Sequence, residues 1–193
     1  MSDMPQDRRR PRREDVRRDL LTAAAEEFRL SGYAATRLEA IAARAGYTKG
    51  AVYSNFGSKQ ELFAELLDEQ VTALIATSVE QISTARAEDV ALRLARLSLD
   101  EQRWHVLIAE FAVQATTDPG VAAVYLASRH RLMTALAGLI RDNAAPLGVT
   151  GDPWSIAFLI LSTTNVLGVH GVIEPAALPL ERRAELFAAV LRA

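Results

Sequence analysis

From about Glu14 onward, apolar residues recur at intervals of three and four, the spacing that gathers them on one face of an α-helix, and no stretch alternates as a strand would. Val16, Leu20, Ala24 and Phe28 line the stripe of a first predicted helix over 14–31, with Leu21 and Ala25 beside it. Gly32 stands where a C-cap glycine would end that helix. A second helix is predicted from Thr36, where Thr36 and Glu39 have the spacing of a capping box and Leu38, Ile41, Ala42 and Ala45 form a buried face. Gly46 breaks it, and Thr48 can cap a third, short helix whose Val52 and Phe56, four apart, point inward. Gly57 stops that helix. Ser58 and Glu61 repeat the capping-box spacing and open a fourth helix with Leu62, Phe63, Leu66, Leu67, Leu74 and Ile75 as its stripe.

The remainder reads as longer helices: about 88–97, about 99–116 opened by Ser98 or Asp100, and one from Asp118-Pro119 to about Asn143, closing before Pro146. Asp118-Pro119 is a cap followed by proline at the first helical position, and Asp152-Pro153 repeats the signal for a helix to about His170. A last helix covers about Pro179 to Arg192. The fold class is therefore all-α with about nine helices and no internal repeat. The segment from Trp154 through Val172 is nearly apolar all round and must be buried on more than one side.

Composition narrows the function classes. The 193 residues hold no cysteine, which removes disulfides, thiol nucleophiles and thiolate metal sites. His105, His130 and His170 lie far apart, and Glu101 and His105 do not have the spacing of a di-iron bundle, so no metal site is expected. There is no Gly-rich phosphate loop and no Ser/His/Asp pattern, so no catalytic residue, cofactor or enzyme activity is expected. The longest uninterrupted apolar runs, 156–161 among them, are far short of a membrane span, and no apolar segment follows the basic N-terminus as in a secretory signal, so a cytoplasmic protein with no membrane partner is expected. Net charge is −2 but unevenly spread: residues 1–59 have a balance of +4 and residues 60–193 of −6. A basic front suits contact with phosphates. Residues 1–13 read as a flexible arm carrying Arg8, Arg9, Arg10, Arg12 and Arg13, able to enter a minor groove or to stay solvated.

Helix, glycine, capped helix, glycine and capped short helix is the layout of a helix-turn-helix, in which the third helix lies in the major groove. With Val52 and Phe56 committed to a core, Thr48, Lys49, Gly50, Tyr53 and Ser54 face outward. Lys49 can reach a phosphate or a guanine edge, Gly50 and Ala51 allow close backbone approach, and the Tyr53 and Thr48 hydroxyls can bond phosphates. Lys49 and Lys59 are the only lysines, and both fall on the predicted DNA side, Lys59 in a helix's first turn where a phosphate would offset the unfavourable macrodipole.

The segment 20–67 resembles the DNA-binding domain of the TetR family. The resemblance is carried by Ala24, Phe28, Gly32 and Tyr33, by Ile41, Ala42, Ala45 and Gly46, by Thr48 through Tyr53, and by Phe56, Ser58, Lys59 and Leu62. Asn55 stands where the family often has His or Tyr, and Arg37 where it often has Thr or Ser; Asn55 keeps hydrogen-bonding capacity and Arg37 adds a cation. The resemblance implies a DNA-binding set of Thr36, Arg37, Thr48, Lys49, Gly50, Ala51, Tyr53, Ser54, Asn55 and Lys59. It implies a domain over 14–60 and a ligand-binding and dimerisation domain over 61–193. It also implies a homodimer through helices at about 152–170 and 179–192, with Gly168 and Gly171 permitting close crossing. Two recognition helices about 34–36 Å apart would enter successive major grooves of palindromic double-stranded operator DNA. A small-molecule inducer in the C-terminal domain would tilt the fourth helix and release the DNA, as in a repressor.

Trp104, His105, Glu110, Phe111, Tyr125, Trp154 and Phe158 are the candidate pocket residues, although at helical spacing such side chains also serve as core. Glu110 is unusual, a carboxylate inside the apolar run 107–113 that calls for a ligand, an arginine or a solvent-facing edge. A helical-bundle enzyme and a ligand-independent DNA-binding protein are the competing readings, the first separable from a regulator by salt-dependent DNA binding and the second by the absence of a cavity.

Overall fold

A computed structural model describes residues 12–82 and 86–192, without the side chains of 80–82; the arginines of the predicted arm before residue 12 lie outside the described residues. Among the described residues there are ten helices and no strand: α1 (Arg13–Ala35), α2 (Leu38–Arg44), α3 (Lys49–Phe56), α4 (Lys59–Ile82), α5 (Ala87–Asp100), α6 (Gln102–Gln114), α7 (Pro119–Asp142), α8 (Ala144–Leu147), α9 (Pro153–Ile173) and α10 (Leu180–Leu191). The additional helix is α8, a single turn containing Pro146, too short to show a periodicity.

The polar punctuation acts mostly as read. Thr48 accepts a bond from the Ala51 N–H at the start of α3, and Ser58 accepts one from the Glu61 N–H at the start of α4. The carboxylates of Asp118 and Asp152 cap α7 and α9. Two predicted caps do not form. The Thr36 hydroxyl is buried and donates to the Gly32 carbonyl at 2.6 Å, so it serves the end of α1 and leaves α2 without a side-chain cap. Ser98 lies fully buried inside α5, its hydroxyl donating to the Ala95 carbonyl, and the break between α5 and α6 comes at Glu101.

Two apolar cores result. The front core joins α1, α2, α3 and the first half of α4, and continues into α6 through Leu107 and Phe111 and into α7 through Val121. It therefore runs past residue 60. At its centre Phe63 meets Phe28 at 5.0 Å between ring centroids, Tyr33 at 5.0 Å and Phe111 at 4.4 Å. The back core is built by α5, α7, α8, α9 and α10. Within it Arg183 of α10 is 1 % exposed. It has no carboxylate partner among the described residues; its guanidinium donates to the carbonyls of Leu178 and Leu167 and to the Ser98 hydroxyl, tying α5, α9 and α10 together.

α9 packs on α6, α7 and α5, yet one side of it stays open. Trp154, Phe158, Val166 and Ile173 lie at near-helical repeats along it and are 57, 42, 55 and 73 % exposed. The expectation of burial on more than one side thus fails for the isolated chain. The short uninterrupted run also understates α9: it has 21 residues, and an 18-residue window within it has a mean hydropathy of 1.8, long and apolar enough by length and composition to cross a membrane. Ser162, Thr163, Thr164 and Asn165 interrupt the run without adding charge.

Candidate nucleic-acid interface and ligand cavity

On α3, Val52 and Phe56 are buried, and Thr48, Lys49, Gly50, Tyr53 and Ser54 are exposed, with Ala51 half-buried between them. The short helix therefore carries an anchored face and a free one. Arg37 adds an exposed cation just ahead of α2. Lys49 is not free: its ammonium lies 2.5 Å from Glu39 Oε1 on α2 and 5.6 Å from the centre of the Tyr53 ring. The hydrogen bond between the pair holds the Glu39 carboxyl below its ordinary pKa and raises that of Lys49.

Three residues expected on the DNA side turn inward. Thr36 spends its hydroxyl on α1, as described. The Asn55 amide donates to the Ala51 carbonyl at 2.8 Å, and its Oδ1 is buried without a partner among the described residues. The Lys59 ammonium donates to the carbonyls of Tyr33, Ala34 and Thr36 at 2.8, 3.2 and 3.2 Å and lies over the Tyr33 ring. All three of its protons are occupied, so backbone oxygens supply the negative partner for which a phosphate was expected. Burial pushes its pKa down, against the opposing charge of Glu110.

These carbonyls stand together because α1 kinks at Gly32, whose φ of 79° and ψ of 167° are costly for any side-chain-bearing residue. The kink also turns two backbone N–H groups outward, and Glu110 of α6 takes both: Tyr33 N donates to Oε2 at 2.9 Å and Ala34 N to Oε1 at 2.8 Å. A Cβ at Gly32 would sit 2.5 Å from Glu110 Oε2. One elbow of α1 is thus gripped from two sides, its N–H groups by α6 and its carbonyls by α4. Glu110 is part-buried and is not paired with arginine among the described residues; the odd carboxylate of the apolar run has a backbone partner.

A cavity of about 350 Å³ lies between α4, α5, α6, α7 and α9. Of the expected pocket residues, Trp104, His105 and Tyr125 line it. Glu110 caps the elbow instead, Phe111 is fully buried in the front core, and Trp154 and Phe158 stack on each other on the open side of α9, none of them on the cavity wall. Most of the wall is aliphatic, from residues such as Leu67, Val71, Leu94, Leu132 and Ile160. Their periodicity marks them only as inward-facing, which does not tell core from cavity. Gly168 admits the His105 ring of α6 against α9, and Gly171 admits Gln102 and Arg183, so both glycines serve packing within the chain. Among the described residues no group of His, Cys, Asp and Glu has the arrangement of a metal site.

Residues 20–66 match the family model for bacterial regulatory proteins of the tetR family. Over that segment the chain is similar to the tetR family. Over 117 residues it is 32 % identical to the transcriptional activator FasR of Mycolicibacterium smegmatis, a stretch covering 58 % of this chain and 52 % of FasR. The chain thus spans about half the length of that relative. A TetR-family transcriptional regulator from Mesorhizobium loti has the same fold, with a TM-score of 0.73 at 22 % identity over 94 % of this chain and 96 % of that one. So does FadR of Bacillus subtilis, solved in complex with stearoyl-CoA, with a TM-score of 0.65 at 17 % identity over 90 and 97 % of the two chains. The family matched by residues 20–66 and these solved structures are transcriptional regulators.

Proposed function

We propose that this chain is a cytoplasmic transcriptional regulator that binds palindromic operator DNA as a homodimer and lets go when a small molecule fills its cavity. The observation that carries the reading is α3, a short capped helix anchored by Val52 and Phe56 whose exposed side offers Thr48, Lys49, Gly50, Tyr53 and Ser54 to a groove. The open stripe of Trp154, Phe158, Val166 and Ile173 on α9, together with the exposed Leu186 of α10, supports the dimer, because a second copy would cover apolar side chains that water now meets.

Release follows from how the cavity is connected. Trp104, His105 and Ile108 of α6 form part of its wall, and Glu110, two residues on, holds the elbow of α1. A ligand that pushes α6 displaces the carboxylate to which α1 is tied, and through Lys59 displaces α4. The ligand acts only by favouring the arrangement that fits DNA less well. Repression is the default outcome of such binding. FasR is named an activator, and the sign depends on where the operator lies relative to the promoter.

Titration of the purified chain with DNA from around its own gene, at several salt concentrations, tests the reading. Binding should weaken steeply with salt. Lys49→Ala and Tyr53→Ala should each weaken it by about 1–3 kcal/mol while leaving helix content and unfolding unchanged. No affinity for any DNA at low salt, or loss of folding together with binding, would refute the assignment of α3.

A further inference from the structure

Glu101 and Arg129 bring opposite charges to the cavity wall, and among the described residues only Glu101 has a counter-charge. Its carboxylate lies 3.4 Å from Arg29. Arg129 pairs with no carboxylate among the described residues; its guanidinium lies over the Phe158 ring, 5.3 Å from the centre. The neighbouring Arg131 differs, being bonded to the carboxylate and carbonyl of Asp68 and to the Thr72 hydroxyl. Arg129 is half-buried and belongs to the stripe that α7 turns to the cavity, with Tyr125 one turn before it and Leu132 and Leu136 after it. Phe158 stands one turn before Leu161 of the wall, so the guanidinium sits at the end of the cavity between α7 and α9. Gln70, Tyr125 and Ser128 are also half-buried on the wall, and their side chains make no hydrogen bond among the described residues. A cation beside an apolar wall costs free energy without an anion, and a single aromatic ring offsets that cost only in part.

We propose that the ligand of this cavity is a largely apolar molecule bearing a single carboxylate, and that Arg129 is the group that pairs with it. The proposal rests on reading the cavity as the regulatory ligand site and adds the charge and chemical class of that ligand. A guanidinium offers a carboxylate two parallel N–H groups, and the Gln70 amide and the Tyr125 and Ser128 hydroxyls on the same wall can donate to such a head as well. One guanidinium balances one negative charge. A phosphate monoester, which carries close to two, would keep part of its charge uncompensated. A neutral head leaves Arg129 without an anion. A cationic head is repelled by Arg129 and finds Glu101 already paired. The aliphatic wall formed by Leu67, Val71, Leu94 and Leu132 takes the apolar remainder of the molecule.

Calorimetric titration of the full chain without DNA, using decanoate, decanol and decylammonium, tests this. The three share an apolar tail and differ in carrying a negative, a neutral and a positive head. Decanoate should bind at least about tenfold more tightly than decanol, and decylammonium should bind most weakly. In Arg129→Met, which keeps an apolar stem, the advantage of decanoate over decanol should shrink to below about threefold, with decanol binding retained as the sign that the cavity is still folded. Arg129→Lys keeps the charge without the planar fork and should fall between the two. Equal binding of decanoate and decanol, a preference for decylammonium, or no binding of any probe would overturn the proposal. Loss of decanol binding in both variants would overturn it too, by making Arg129 a structural residue. So would an Arg129→Met protein that keeps its preference for decanoate but falls apart into monomers on dilution, since Arg129 and Phe158 would then serve a contact between copies. Operator release is read in a second titration. A preference for decanoate without any effect on DNA binding supports the ligand class and removes the regulatory reading, so the two failures are distinguishable.

Discussion

Two neighbouring parts of the molecule use the same kinds of side chain to opposite ends. In the front core, Phe28, Tyr33, Phe63 and Phe111 close ranks with centroid separations of 4.4 to 5.7 Å. On the far side of Trp104, which stacks on Phe63 at 6.3 Å and lines the cavity as well, a comparable set of leucines and aromatics leaves about 350 Å³ unfilled. The dense side holds a rigid frame for α3. The hollow side forgoes the contacts its lining atoms would otherwise make, a sacrifice that makes sense where something else is to fill the space. Trp104 is the shared wall, so a ligand in the cavity would press on the same ring that completes the frame.

The sharpest way to break this comparison is to truncate one large apolar side chain on each side. Phe63→Ala should cost about 3–5 kcal/mol in denaturant unfolding, since Phe63 is fully buried among four rings. Leu161→Ala, on the cavity wall, should cost only about 1–2 kcal/mol, because Leu161 already lacks neighbours on one side. Equal losses would mean that the cavity closes in solution and that the contrast between the two regions is not maintained.

A smaller effect sharpens how the two regions communicate. Glu110→Gln replaces one of two acceptor oxygens at the elbow with an amide nitrogen, so one of the bonds from Tyr33 N and Ala34 N is lost. Unfolding should fall by about 1–2 kcal/mol. Operator affinity should fall with it, and the response of DNA binding to a ligand of the cavity should shrink. A protein that loses stability but keeps both its DNA affinity and its ligand response would make the elbow a brace and nothing more.

The front domain was legible in the sequence because its information is local. Thr48, Ser58, Val52 and Phe56 act within a few residues of themselves, so a cap and an inward pair could be assigned from spacing alone. Lys59 and Thr36 read as DNA-facing by position, but in the free chain they bond carbonyls at the kink of Gly32, and a glycine suggests a helix end without saying which way the chain turns. Glu110 was singled out as anomalous, yet its partners lie 77 and 76 residues away in sequence. The cavity was least legible. Leu132 and Val71 repeat with the same period whether a neighbour fills the space in front of them or nothing does, and Asn165 drew no attention in a helix read as an interface. Arg183 resembled any surface arginine, because the carbonyls that hold it come from three separate helices or their flanks.

The smallest expected effect concerns the exposed face of the front domain and probes whether that face is tuned as well as built. Lys49 is the lysine left at the surface of α3, and in the free protein it is tied to Glu39. Both side chains are about half exposed, at 49 and 56 %, so the pair adds little to folding. Its effect on DNA binding has a definite sign. A phosphate must compete with Glu39 for the ammonium, and the Glu39 carboxylate itself repels the duplex. Glu39→Gln removes both penalties and should leave unfolding unchanged while raising operator affinity by up to about fivefold at low salt, a gain that fades as salt screens the charges. Protonating Glu39 in the natural chain should mimic the variant, but only below the ordinary carboxylate range, because the hydrogen bond from Lys49 holds its pKa down. A loss of affinity in Glu39→Gln would mean that Glu39 positions Lys49 for the groove, and that the pair belongs to the frame and not to the brake.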